Sequence, residues 1–243
     1  MKVKKKPLSK IFSILKYPAW VVFSVFVAQL IILPFNVVFR DLSSNNIYKA
    51  LISAIFYTAL IVILIFVPHK FFKKSLPTRH ELGLKGTPTW TDILLAIIGF
   101  IVYILIAYVL TNIIEKIFPS FDATQEQALV FDRYLPTFFD RVLVFTSIAV
   151  IPPIAEEITF RGWLYPKLKK SISGKKSKII SIIIVSILFG FMHGQWNVGV
   201  SVFVMSVVFC LIRELTDTIY GSILMHITAN TIAFYLLYIL NMV

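Results

Sequence analysis

Long apolar runs, broken by short polar or proline- and glycine-containing stretches, dominate the chain. They predict seven helices, at about 18–39, 48–67, 91–114, 140–168, 178–193, 197–213 and 219–240. Each run approaches the length of about 20 residues that a spanning helix needs. The runs do not alternate apolar and polar positions as barrel strands do, so helices that satisfy their own backbone are expected. The pattern therefore predicts an all-α, polytopic membrane helix bundle of about seven transmembrane helices. The first run follows MKVKKKPLSK, as a signal peptide would. Its length exceeds the usual h-region of about 7–15 residues, and no small-x-small cleavage pattern follows. An uncleaved first helix is expected, bent at Pro34.

Composition agrees with that picture. Of 243 residues, 58% are hydrophobic and 15% charged, against roughly 45–50% and 25% for soluble domains. The net charge of +12 would suit nucleic acid, but its distribution follows the spans. With the N-terminus in the cytoplasm, that side holds Lys2, Lys4, Lys5, Lys6, Lys10 and Lys16, then Lys70, Lys73, Lys74, Arg79 and Lys85. It also holds the run from Arg161 through Lys178, and Arg213, giving 19 of the 24 Lys and Arg. The other side keeps Arg40, Lys49, Lys116, Arg133 and Arg141. This asymmetry predicts an N-in, C-out topology, with the basic clusters meeting anionic lipid rather than nucleic acid. The single cysteine, Cys210, sits in an apolar run and reads as a packed hydrophobe. His69 and His80 fall in the basic loop 68–90 and read as solvated loop residues. The segment 115–140, with Glu115, Asp122, Glu126, Asp132 and Asp140, is expected to hold a short amphipathic helix at the interface.

The polar positions inside apolar spans carry the chemistry. PPIAEEITFRG, residues 152–162, brings Glu156, Glu157 and Arg161 into one span. An ionisable group at the bilayer centre costs about 2.5–3.5 kcal/mol on insertion scales, so these groups must pair, line a wet cavity or react. Glu157 and Arg161 are four apart on one helical face and can form an ion pair. Glu156 points about 100° away, which makes it the candidate general base and leaves Glu157 with Arg161 as the orienting pair. Pro152 and Pro153 should free the carbonyls of Ile148 and Ala149 and open a pocket beside Glu156. His193 lies one turn after Phe189, and Gly190 and Gly194 form a G-x-x-x-G spacing expected to bring it near the fourth helix. His226 and Asn230 share a face at i,i+4, where they could donate to an oxyanion or join helices by hydrogen bonds.

Other chemistries have weaker support. There is no His-Glu-x-x-His zinc motif, no Gly-x-Ser-x-Gly elbow and no Gly-rich phosphate loop. Glu156, His193 and His226 could still make a three-ligand zinc site with an open water position. The missing i,i+4 His pair favours a mechanism that requires no cofactor.

The succession Glu156-Glu157-x-x-x-Arg161, Phe189-x-x-x-His193 and His226-x-x-x-Asn230 resembles the CPBP family, named for CAAX proteases and bacteriocin-processing enzymes and also called the Abi family. The resemblance covers residues 140–241. It divides the chain into a 1–139 membrane scaffold of about three helices, which matches no motif, and a 140–243 catalytic membrane domain. It implies an intramembrane endopeptidase, often described as a metalloprotease, in a bacterial plasma membrane. Carried over, Glu156 and His193 would activate water, and His226 and Asn230 would stabilise the oxyanion. The substrate would be a peptide or membrane protein, in CAAX-type processing, bacteriocin or pheromone maturation, or self-immunity. Some members have eight spans, one more than expected here. A non-catalytic immunity or scaffold protein would bind a partner through the same cavity. A proton-coupled transporter would also use such groups, but no inverted repeat is evident.

Overall fold

The computed structural model describes residues 7–121, 131, 132 and 134–240, and these contain helices, turns and loops but no strand. The helices are α1 Pro7–Val38, α2 Asn46–Phe72, α3 Trp90–Ile117, α4 Phe138–Ser171, α5 Ser177–Phe191, α6 Trp196–Thr216 and α7 Tyr220–Ile239. All seven expected helices are present, and six are long and apolar enough to cross a membrane. The chain is a multi-pass integral membrane protein. The exception is α5: its 15 residues reach about 22 Å at 1.5 Å per residue, short of a hydrocarbon core of about 30 Å.

Local sequence sets the helix ends. Thr89 and Asp92 form a reciprocal capping box at the start of α3, and Thr137 and Asp140 form another at the start of α4. Asp92 also accepts from the Thr218 hydroxyl at 2.7 Å, tying the start of α3 to the α6–α7 turn. Asp217, in the left-handed region at φ +54, ends α6 and pairs with Arg213 and Lys85. The hydrogen bond from the Lys85 ammonium, seconded by Arg213, holds the Asp217 carboxyl below the usual carboxylate range.

Prolines within α2 and α4 follow wide turns. The π turns Val62–Phe66, Thr146–Val150 and Ile158–Leu164 precede Pro68, Pro152 with Pro153, and Pro166. A proline lacks the N–H donor and crowds the carbonyl four residues back, and an extra residue in the preceding turn relieves both effects. α2 consequently runs through Pro68 to Phe72, beyond its expected end at 67. α4 continues for 34 residues, about 50 Å at helical rise.

In the bundle, α6 packs against α3, α5 and α7. α4 joins this group to the α1–α2 pair. Two expectations are corrected here. A Cβ on Gly190 would stand 2.6 Å from the Gly199 carbonyl oxygen, so the close approach at Gly190 is to α6, not α4. Gly194, at φ +74 with open space around it, makes the turn out of α5 instead of a helix contact. Arg161, counted above among the cytoplasmic cations, is fully buried in the last third of α4 and paired with Glu157. Cys210 is buried and free and His69 and His80 are exposed, as expected, but His69 sits in the last turn of α2 and not in a loop. Of the proposed interfacial segment, Asp122, Glu126 and Arg133 lie outside the described residues. Residues 115–117 of it end α3, the described residues from there to the capping box of α4 are not helical, and Asp132 pairs with Lys49 at 3.6 Å.

Candidate active site

Glu157 and Arg161 are the anchor. Arg161 Nη1 donates to Glu157 Oε1 at 2.8 Å, and both side chains are completely buried. Arg161 Nη2 donates to Ser206 Oγ on α6 at 2.5 Å. The guanidinium carbon stands 4.4 Å from the Phe189 ring centroid and 4.7 Å from that of Phe209, so two aromatic faces replace its water. One arginine thereby fixes α4 against α5 and α6.

His226 builds on this anchor. Its Nδ1 lies 3.1 Å from Glu157 Oε1, and its ring rests at a tilt on Phe209, with centroids 5.1 Å apart. The Glu157 oxygen that also receives the arginine acts as an acceptor, so Nδ1 carries the proton. Nε2 is left facing Glu156 Oε2 at 3.9 Å. A hydrogen on Nε2 then requires the imidazolium form.

Glu156 occupies the other face, as the helical offset predicted. Its side chain is 17% exposed and lines a cavity of about 800 Å³ together with His193, His226 and Asn230. Among the described residues no lysine or arginine pairs with it. Its Oε1 accepts from the Tyr57 hydroxyl of α2 at 2.9 Å. The motifs did not reveal Tyr57, because α2 has no polar pattern that marks it. Val25 and Gln29 of α1, Ser53 of α2 and Tyr103 of α3 also line the cavity, so the boundary drawn at residue 139 does not bound this space.

His193 lies in the α5–α6 turn, beyond the last helical residue Phe191, a correction to the helix drawn through 193. The shortness of α5 is what lets a residue after its end reach the cavity. The Phe189 carbonyl, which can only accept, is 2.8 Å from Nδ1, so neutral His193 keeps its lone pair on Nε2. Asn230 Nδ2 donates to the Ile148 carbonyl at 3.0 Å, one of the two carbonyls that Pro152 and Pro153 were expected to free. One Nδ2 hydrogen is therefore occupied, and the amide has a second.

The zinc set drawn from Glu156, His193 and His226 is not gathered. Among the described residues no three His, Cys, Asp or Glu side chains are placed to hold a metal ion. Both histidines use Nδ1 elsewhere and present only Nε2.

Known proteins resemble the part of the chain that carries this geometry. Residues 138–232 match the family model described as Type II CAAX prenyl endopeptidase Rce1-like. The matched segment contains all seven residues of the three motifs, so the resemblance read from them is borne out. The chain is also similar to the membrane-embedded CAAX protease MroQ of Staphylococcus aureus (strain USA300), at 27% identity over 158 residues. That match covers 63% of this chain and 61% of the relative, so the chain spans less than two thirds of its length. No solved structure matches the chain.

Proposed function

We propose that the chain is an intramembrane endopeptidase that hydrolyses a peptide bond of a membrane-associated protein or peptide. The observation that carries this reading is Glu156, a carboxylate that pairs with no lysine or arginine among the described residues and opens on a cavity of about 800 Å³ midway along a membrane helix. The Rce1-like segment and the similarity to a protein named as a CAAX protease support it.

In this mechanism Glu156 takes a proton from water while His193 Nε2 accepts a hydrogen bond from the water's other O–H, which stays intact. The water oxygen bonds to the scissile carbonyl carbon, and the carbonyl electron pair moves to oxygen. Imidazolium His226 Nε2 and the second Nδ2–H of Asn230 donate to that oxyanion. Collapse breaks the C–N bond, and the proton held by Glu156 passes to the leaving nitrogen. Glu157 and Arg161 orient His226 and take no proton. Incubating the purified protein in detergent with a diverse peptide library, and reading products by mass spectrometry, tests the proposal. Glu156-dependent cleavage supports it, and an intact library contradicts it.

The proposed chemistry requires no cofactor. Turnover is expected to persist after rigorous chelation, in protein without stoichiometric zinc. Loss on chelation, with zinc restoring activity in step with bound metal, would overturn this part.

We further propose the N-in, C-out orientation in a bacterial plasma membrane, with basic segments meeting anionic headgroups at the cytoplasmic face. A reporter inserted near Lys175 should then lie inside, and one fused after Val243 outside. A cytoplasmic signal from the second fusion would overturn the orientation.

A further inference from the structure

We infer that Tyr57 of α2 is a positioning residue for the Glu156 carboxylate, supplied from outside the Rce1-like segment. The inference rests on the endopeptidase reading for its catalytic consequence, but the contact itself does not.

The two oxygens of Glu156 are in unlike surroundings. Oε1 receives a hydrogen bond from the Tyr57 hydroxyl at 2.9 Å. Among the described residues, Oε2 has only the distant approach of His226 Nε2, at 3.9 Å. The terminal torsion of a glutamate is broad and has no sharp preference of its own. A carboxylate facing a cavity of about 800 Å³ would therefore sample many orientations unless one oxygen were held. Tyr57 holds Oε1, which leaves Oε2 as the oxygen that takes the water proton.

The phenol is itself held. Its ring meets that of Phe56 edge-on, with centroids 5.0 Å apart at 82°. The Trp20 indole N–H of α1 donates to the Leu64 carbonyl at 3.3 Å, and Lys49 at the start of α2 pairs with Asp132. α2 also packs directly on α4. Rigid support of this kind is what lets a neighbour orient a reacting group. The hydroxyl is engaged with Glu156, so Tyr57 acts through that carboxylate rather than on the substrate.

The test compares the full-length wild type, Tyr57→Phe, Glu156→Gln and the double variant, purified side by side. Turnover of a cleaved peptide is measured together with the infrared carboxylate band that disappears in Glu156→Gln. Tyr57→Phe should lower kcat by about 10–100-fold, the range for one hydrogen bond to a charged group. KM should change by less than about two-fold, because the interaction orients the base and does not bind substrate. Adding Tyr57→Phe to Glu156→Gln should lower residual turnover no further, since the two residues act as a unit. The Glu156 band should shift in Tyr57→Phe, and 3-fluorotyrosine at position 57, a stronger donor, should shift it the opposite way. Wild-type kcat in Tyr57→Phe beside an inactive Glu156→Gln would overturn the positioning role and leave the endopeptidase reading standing. If the wild type cleaves nothing, that reading fails, and the band alone decides whether Tyr57 holds Glu156. An unshifted band overturns the inference in either case.

Discussion

Glu156→Gln should fold as the wild type does and lose turnover by about 10²–10⁴-fold, the usual contribution of a positioned acid or base. The substitution keeps side-chain volume and leaves an amide oxygen able to accept from Tyr57. It also keeps the cavity wall formed by α2, α4 and α7. It removes only the ability to take a proton from water and return it to the leaving nitrogen. Equal melting temperature with lost cleavage is the expected pair of results. Normal cleavage by the purified variant would show that another group activates the water.

Glu157→Gln should behave in the opposite way and damage the fold. Glu157 and Arg161 are both wholly inaccessible to solvent. Without the carboxylate, the guanidinium keeps Ser206 and two aromatic faces but has no counter-charge. Breaking a buried ion pair by removing one partner costs about 3–5 kcal/mol, a large share of a typical stability of about 5–15 kcal/mol. His226 Nδ1 would face a neutral amide oxygen in place of a charged carboxylate. Low yield and a lowered melting temperature in detergent are expected, measured against Glu156→Gln in the same preparation. A Glu157→Gln protein as stable as wild type would mean that the pair does not anchor α4.

The contrast between these neighbouring glutamates was legible in the sequence because it depends only on helical geometry. Four-residue spacing placed Arg161 over Glu157, and the 100° offset sent Glu156 elsewhere. The seven apolar runs were legible for the same reason, since period and length survive without knowledge of tertiary contacts. Contacts between distant segments were not. Pro152 and Pro153 announced that two carbonyls would lose their donors, but nothing local pointed to Asn230, 82 residues away from Ile148. Tyr57 is 99 residues from Glu156 and looks like any interfacial or packed tyrosine of a membrane helix. The glycine spacing around His193 suggested a close approach, yet spacing does not name the partner, which is Gly199 on α6. The end of α5 was misplaced by two residues, enough to put His193 in a helix instead of the turn that presents it to the cavity.

The most direct measurement of the central claim is comparative peptidomics of cells carrying the intact chain or Glu156→Gln at equal abundance. Glu156-dependent hydrolysis predicts at least one defined cleavage product in the first population that is missing in the second, with its uncut precursor accumulating in membranes. Identical peptide profiles in the two populations would contradict it.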